Sequence, residues 1–172
     1  MPTVIIRPDA IGAEAGFDQS GPNLLSRIND NDTSTVINQN QTSANFNVGI
    51  ENSSDYSGAT INNVVVSVIG NTAGKASSCQ LEIQLKNAAE TTLQTTILDF
   101  GTTESTQSTA AYSTDLTPSV VDGLNLAVTP DTSGITIKEV FITVDYTAAA
   151  VTTPYIGMKS GKYKIVSGKI KI

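Results

Sequence analysis

The sequence of 172 residues contains no histidine, no tryptophan and only one cysteine, Cys79. Histidine is the commonest general base and a frequent metal ligand, so its absence removes the usual means of activating a nucleophile or holding zinc. A single cysteine cannot form a disulfide within the chain, which suits folding in a reducing cytoplasm. These absences predict a protein that is not an enzyme, with no catalytic residues, no cofactor and no metal centre.

Long apolar runs are also missing. No stretch approaches the 18 or so consecutive apolar residues of a membrane-spanning helix. The opening residues, Met1 to Arg7, lack the charged start and apolar core of a signal peptide. We therefore expect a chain that neither enters a membrane nor is exported.

What is present points to β-structure. Hydrophobic residues make up 39% of the chain and aromatic residues 5%, and threonine, serine and asparagine fill the remainder, a composition that favours strands and turns. The clearest two-residue alternation runs from Cys79 to Lys86, where Leu81, Ile83 and Leu85 are predicted to face a core. Weaker runs predict further strands at residues 44–50, 63–69, 93–100, 110–116, 124–128 and 140–146.

This rhythm of short strands and turns predicts an all-β protein, a two-sheet antiparallel jelly-roll-like sandwich with extended N- and C-terminal arms. The sandwich is expected over residues 23–147, with an N-terminal arm over 1–22 and a linker and basic β arm over 148–172. Leu24, Leu25 and Ile28 are expected to anchor the first arm to the core. Runs 63–69 and 93–100 are apolar on both faces, which predicts central strands or strands beneath a partner surface.

Charge is distributed unevenly along the chain. The net charge of −6 combines five bases and sixteen acids before Tyr155 with five lysines and no acid after it, or −11 against +5. The basic end alternates lysine with apolar residues in two similar stretches, 160–165 and 167–172, and each predicts a short edge strand. We call residues 159–172 the lysine-rich arm. Its predicted contact residues are Lys159, Lys162, Tyr163, Lys164, Ile165, Lys169, Ile170, Lys171 and Ile172.

Opposite charges on arm and body predict that the arm docks on an acidic protein surface, with other copies of this chain as the nearest source. A homo-oligomer follows from that interpretation, and nucleic acid is not expected as a partner because the acidic body would repel phosphates. A hairpin formed by the arm alone and a solvated tail remain alternatives.

Three local patterns carry possible chemistry. Residues 70–75 fit only the end of a phosphate-binding loop and are interpreted as a hairpin loop. The carboxylate pairs Asp99 with Glu104 and Asp115 with Asp122 would suit a glycosidase, but sixteen acids produce such pairs by chance. The run Asp30 to Asp32 has the oxygen density of a calcium loop and equally the composition of a turn, so both interpretations stay open.

One arrangement of motifs is familiar: the acidic stretch Asn29-Asp30-Asn31-Asp32-Thr33, strands at 44–49 and 61–69, and the closing Val140-Phe141-Ile142-Thr143-Val144-Asp145-Tyr146. It resembles tailed-bacteriophage virion structural proteins with a lectin-like jelly-roll domain. The resemblance implies a capsid decoration or cement protein, a head fibre or a tail appendage, made in the host cytoplasm and located in the virion among other capsid or tail proteins. The family brings no catalytic residues.

A carbohydrate-binding, lectin-like module is the alternative, for example as a tail-associated binder of the host surface. Jelly rolls commonly present sugar-binding surfaces, and Tyr56 and Tyr112 are the aromatic candidates. The low aromatic content and the absence of tryptophan count against this alternative, because sugars are usually held against flat aromatic rings.

Overall fold

The computed structural model describes residues 1–15, 24–29, 36–38, 45–72, 74, 76–131 and 134–150. Within them the chain forms two antiparallel five-stranded sheets packed face to face, and this confirms the predicted all-β sandwich. The helices of these ranges are only a turn or so long, and none could span a membrane. They are α1 (Leu24–Ile28) and α2 (Pro118–Val121).

The first sheet has the strand order β1-β10-β5-β8, with β3 also paired to β10. The second sheet has the order β2-β4-β9-β6-β7. The strands of the first sheet are β1 (Thr3–Ile6), β3 (Ile37–Asn38), β5 (Thr60–Asn71), β8 (Ser105–Ser108) and β10 (Thr136–Thr147). Those of the second are β2 (Pro8–Ala15), β4 (Asn45–Ile50), β6 (Ser78–Lys86), β7 (Thr92–Gly101) and β9 (Asn125–Pro130).

The core lies between the sheets and is built by alternating residues, because successive side chains of a strand point to opposite faces. In β6 the predicted core residues Leu81, Ile83 and Leu85 are each at most 1% exposed. The intervening residues of that strand are polar and lie on the outer face. The alternation read from the sequence is therefore confirmed where it was clearest.

The beginning of the chain differs from the predicted arm. β1 pairs with β10 and β2 pairs with β4, so residues 3–15 contribute one strand to each sheet. Ile6 is fully buried in the common core, which gives these strands an apolar reason to stay in the body. Arg7 lies where the chain passes from one sheet to the other, and its guanidinium is 3.0 Å from the Glu139 carboxylate. Residues 16–22 lie outside the described residues.

The short helix α1 contacts both β10 and β2, and its Ile28 is fully buried as expected for an anchor. The weak strand predicted at 110–116 is reduced to a single bridge between Tyr112 and Val64. The preceding strand, β8, is four residues long and entirely polar, so its alternation of serine, threonine and glutamine carries no hydrophobic signal.

The predicted hairpin loop at 70–75 begins later than expected, because Gly70 and Asn71 belong to β5. Gly70 is fixed by a close approach of two strands, since a Cβ atom there would lie 2.6 Å from the Thr136 carbonyl oxygen. The glycine therefore serves sheet packing and not a phosphate-binding turn.

Candidate functional site

The site predicted from the sequence and the site that the structure describes are different parts of the chain. All nine contact residues predicted in the lysine-rich arm lie outside the described residues, as does the acidic turn at Asp30 to Asp32. The described chain continues to residue 150, just beyond β10. What the structure supplies is the surface on which such an arm would have to dock.

The cations of the described ranges are already engaged within the body. Three form ion pairs, and the Arg27 guanidinium donates to the Val36 carbonyl oxygen at 3.4 Å. The ion pairs are Arg7 with Glu139, Lys86 with Glu90, and Lys138 with Glu104. Acids outnumber bases in these ranges, so the body presents a surplus of negative charge.

Strand β7 forms one edge of the second sheet, and no described strand pairs with its outer side. Of the two positions predicted for run 93–100, the central one is wrong, whereas a position beneath a partner surface stays a prediction. The strand is ten residues long and contains neither lysine nor proline, two residues that commonly protect sheet edges from other chains. Its Ile97 is 54% exposed, among the few large apolar side chains of the described chain that face solvent.

A small pocket of about 140 Å³ lies beside Ile97 on the outer face of the second sheet. We call it the acidic pocket, and its lining residues are Gln80, Glu82, Ile97, Thr129, Pro130 and Asp131. It joins three neighbouring strands, because Glu82 of β6 is paired with both Ile97 of β7 and Thr129 of β9. Directly paired residues point to the same face of a sheet, which places these three side chains together.

Neutral amides orient the carboxylates of this region. The Gln84 side chain donates to Glu82 Oε1 at 2.6 Å, and the Gln80 side chain donates to Asp99 Oδ1 at 2.9 Å. The Gln80 backbone N–H donates to Asp131 Oδ1, also at 2.9 Å. An amide fixes the position of a carboxylate without neutralising it, so Glu82 and Asp99 keep negative charge beside an exposed isoleucine.

The carboxylate pairs considered for glycoside hydrolysis have separate roles in the structure. Asp99 is bonded to Gln80, whereas Glu104 forms an ion pair with Lys138. Asp122 accepts a hydrogen bond from the Tyr56 hydroxyl at 2.6 Å. Among the described residues no group of three or more histidine, cysteine or acidic side chains is arranged to hold a metal ion.

Tyr56 is a core residue and offers no sugar-binding surface. Its side chain is fully buried, and its ring makes an edge-on contact with Tyr146 at a centroid distance of 6.4 Å. Burial, reinforced by the hydrogen bond to Asp122, raises the pKa of the Tyr56 hydroxyl above its ordinary value. Tyr112 is half-buried and packs against the core. Tyr56 therefore presents no ring face to a sugar, and Tyr112 is only partly exposed.

No protein-family model matches the sequence, and a comparison with curated proteins gives no match. Solved structures with a similar fold include the C-terminal CBM6 module of the laminarinase LamC from Zobellia galactanivorans. It is 10% identical, with 83% of this chain and 98% of that chain covered and a TM-score of 0.47. The GH26-CBM35 β-(1,4)-mannanase of Podospora anserina is 11% identical, with coverages of 86% and 28% and a TM-score of 0.42.

The isomalto-dextranase of Arthrobacter globiformis T6, solved with panose, is 14% identical, with coverages of 83% and 23% and a TM-score of 0.44. This chain thus spans less than a third of the mannanase and of the isomalto-dextranase. At such identities the likeness concerns the β-sandwich fold, which hosts many functions, and it does not extend to a shared site.

Proposed function

We propose that this protein is a non-enzymatic structural component that works by attachment, through docking of its lysine-rich arm on the acidic body of neighbouring copies. The observation that carries the proposal is the separation of charge. The described body engages its own cations internally, while five lysines without a single acid follow Tyr155. Complementary charge on two parts of one chain favours association between copies and sets their orientation.

Repetition makes such an attachment effective even when each contact is weak. A strand added to a sheet edge contributes a few backbone hydrogen bonds of about 1 kcal/mol net each, plus some apolar burial. When many copies are arrayed on one particle, these contacts act together and the whole array holds more firmly than one contact would.

The particle we propose is a phage virion, in which the protein would decorate or cement the capsid or form an appendage attached to it. This finer assignment rests on the motif resemblance described above, and the comparisons with known proteins do not bear on it. Docking of the lysine-rich arm on the acidic body requires only that many copies of the chain lie side by side, whatever particle they belong to.

Deletion of residues 155–172 tests the attachment proposal. We expect the full chain to sediment as an oligomer at moderate salt and to dissociate as salt is raised, because exposed ion pairs are screened. The shortened chain should sediment as a monomer with an unchanged circular dichroism spectrum. A full chain that is monomeric at high micromolar concentration, or a shortened chain that still assembles, would contradict the proposal.

Carbohydrate binding remains a second candidate, favoured by one feature of the outer face of the second sheet. Asn47, Ala127, Gln84 and Thr95 are paired in one row across four strands, with amide or hydroxyl side chains at three of the four positions. Amides and hydroxyls are suitable partners for sugar hydroxyls. Among the described residues no exposed aromatic ring lies beside them, so the described part of this face supplies only the hydrogen-bonding part of a typical sugar site.

A glycan array with the full chain tests this candidate directly. Binding that is lost in the variants Asn47→Ala and Gln84→Ala, and kept in the control Asn52→Ala on an exposed loop, would favour the carbohydrate function. An array without hits would remove it. Neither result depends on assembly, so the two candidate functions are tested independently.

A further inference from the structure

We propose that the outer side of β7, together with the acidic pocket, is the receptor for the lysine-rich arm of a second copy of this chain. The inference rests on the proposed attachment function and adds to it the docking site and the mode of docking. The arm would pair with β7 as an additional strand of the second sheet. The first reason is that β7 is a ten-residue edge strand whose outer side is paired with no described strand, although the Gly101 carbonyl oxygen at its end accepts a hydrogen bond from the Thr72 backbone N–H.

The two faces of β7 match the alternation of the arm. Thr95, Ile97 and Asp99 lie on the outer face, since they pair with the polar residues of β6. Leu98 and Phe100 lie on the inner face and are buried. Either of the two stretches, 160–165 or 167–172, added beside β7 as a short strand, places its lysines on one face and its apolar residues on the other. The stretches are offset by seven residues, an odd number, so only one of them at a time would match β7 in this way.

With its isoleucines inward, the added strand would extend the core beyond Leu98 and Phe100. Its lysines would then cross the outer face, where their aliphatic stems would cover Ile97 and their ammonium groups would reach Asp99 and Glu82. This orientation accounts for an exposed isoleucine flanked by two amide-oriented carboxylates.

The negative charges of Asp99 and Glu82 also favour pairing of β7 with the lysine-rich arm over pairing with the β7 edge of a second copy. Two β7 edges placed side by side would bring the acids Asp99 and Glu82 of both copies into one sheet, and like charges opposite each other are destabilising. A basic strand removes that repulsion.

The direction of β10 argues for a neighbour's arm over the chain's own. Thr136, at the start of β10, pairs with Asn71, the last residue of β5. The residue after it, Thr72, donates its backbone N–H to the carbonyl oxygen of Gly101, the last residue of β7, at 2.9 Å. β10 therefore begins at the end of the sandwich where β7 finishes, close to the acidic pocket. It ends at the opposite end, where Thr147 pairs with Thr60.

Residues 148–158, which connect β10 to the lysine-rich arm, are short for a return along the length of the sandwich. A strand of 12 residues such as β10 spans about 40 Å at roughly 3.3 Å per residue. Residues 148–158 reach at most about 36–40 Å when fully extended. For antiparallel addition the arm must enter at the Gly101 end of β7, so these residues would be stretched almost completely to bring it to its own β7, whereas a second copy can present its edge directly.

Charge reversal in the full chain tests the receptor. Changing Lys162, Lys164, Lys169 and Lys171 together to glutamate, or changing Glu82 and Asp99 together to lysine, is expected to weaken association at least about tenfold. Combining the two sets is expected to restore a measurable part of it, because each arm then meets the opposite charge again. Sedimentation velocity at fixed concentration and salt measures all three proteins.

A second test is Ile97→Lys, which should abolish association. Its matched control is Ile5→Lys, at a 47% exposed position of β1 on the opposite side of the molecule, which should leave association unchanged. Asp9→Asn, an exposed acid on β2, controls for the loss of a single negative charge.

Assembly that requires residues 155–172 but tolerates Ile97→Lys and the reversal of Glu82 and Asp99 would overturn this receptor and leave the attachment function intact. Assembly that ignores the deletion would overturn the attachment function itself. Weaker association in the pocket variants that is not recovered by the combined reversal, in proteins with wild-type thermal unfolding, would also contradict the receptor.

Discussion

The two edge strands of the second sheet, β2 and β7, differ in the features that protect an exposed sheet edge from pairing with other chains. The β2 edge carries two register shifts against β4, begins at Pro8 and is adjoined by the ion pair between Arg7 and Glu139. The β7 edge has one register shift at its start, no proline and no lysine, and an exposed isoleucine in its middle. Irregularity and proline protect an edge from other chains, so among the described strands β2 is less suited to strand addition than β7.

The difference between the two edges predicts that substitutions near β2 affect the stability of the fold and that substitutions on β7 affect the association of copies. Ile6 and Arg7, which lead into the β2 edge, are buried or paired within the chain, so changing them should lower the free energy of unfolding. Ile97, on the outer face of β7, is 54% exposed, so changing it should leave folding intact and affect association. The variants that follow test this separation, in order of the expected loss of stability.

The largest loss is expected for Ile6→Ala. Ile6 is fully buried where β1 leads into the β2 edge, and replacing a buried isoleucine by alanine costs about 2–5 kcal/mol. Urea unfolding measures the change. The matched control is Ile5→Ala, at the neighbouring, 47% exposed position, where the expected change is within about 0.5 kcal/mol. Equal costs at the two positions would show that residues 3–6 are not an integral strand.

Arg7→Ala should be the next most costly. It removes the cation from Glu139, whose side chain is only 6% exposed, while the Arg7 side chain is 24% exposed. Loss of one partner of a fully buried pair costs about 3–5 kcal/mol, and the partial exposure of Arg7 reduces the expectation to about 2 kcal/mol. Adding Glu139→Gln should recover part of the loss. A double variant that is less stable than Arg7→Ala would mean that the buried charge is not the cause.

Tyr56→Phe provides a reference away from both edges. It deletes the hydrogen bond to Asp122 and should cost about 1–2 kcal/mol in urea unfolding at neutral pH. The pKa of Tyr56 is raised in the folded state above its ordinary value of 10.0, so the unfolded chain releases the hydroxyl proton first as pH rises. The stabilisation is therefore complete below pH 10 and is lost progressively above it.

The variant Tyr56→Phe should accordingly lose less stability than the wild-type chain between neutral pH and pH values above that ordinary pKa of 10.0. Parallel pH dependences of unfolding in the two proteins would contradict this prediction. The other tyrosines titrate in both proteins and cancel in the comparison.

Ile97→Thr should have the smallest effect on stability, within about 0.5 kcal/mol, because a side chain that is 54% exposed buries little area and threonine suits a strand. It should nevertheless weaken association. A loss of stability as large as that of Ile6→Ala would show that Ile97 serves the fold, and the contrast between the two edges would fail.

The sequence predicted the fold best where alternation and burial coincide. Leu81, Ile83 and Leu85 alternate with polar residues in a strand paired on both sides, so local pattern and sheet position agree. Ile97 did not decide between the two predicted positions, because an apolar residue in an edge strand gives the same sequence pattern as one in a central strand, and only the pairing order distinguishes them.

The pairing partners of the N-terminal strands and the residues that form the acidic pocket could not be predicted, for a different reason. The pairing of residues 3–6 with β10 joins positions more than a hundred residues apart, and no local signal encodes it. The acidic pocket unites Glu82 with Thr129 in the same way. By contrast, the charge asymmetry needs no structure, because a count along the sequence shows five lysines after Tyr155.

Cross-linking between two variants, each with one added cysteine, tests the central claim most directly. One full-length variant carries Thr95→Cys on the exposed outer face of β7, and the other carries Lys169→Cys, a lysine position of the arm that the proposed pairing places on the same outer face. The native Cys79 is buried and should not compete. After mixing and mild oxidation we expect a disulfide-linked heterodimer, whereas the pairing of Lys169→Cys with a cysteine at exposed Ser57, in a loop far from β7 in sequence, should give none. A mixture that yields no heterodimer while the full chain is assembled would contradict the account.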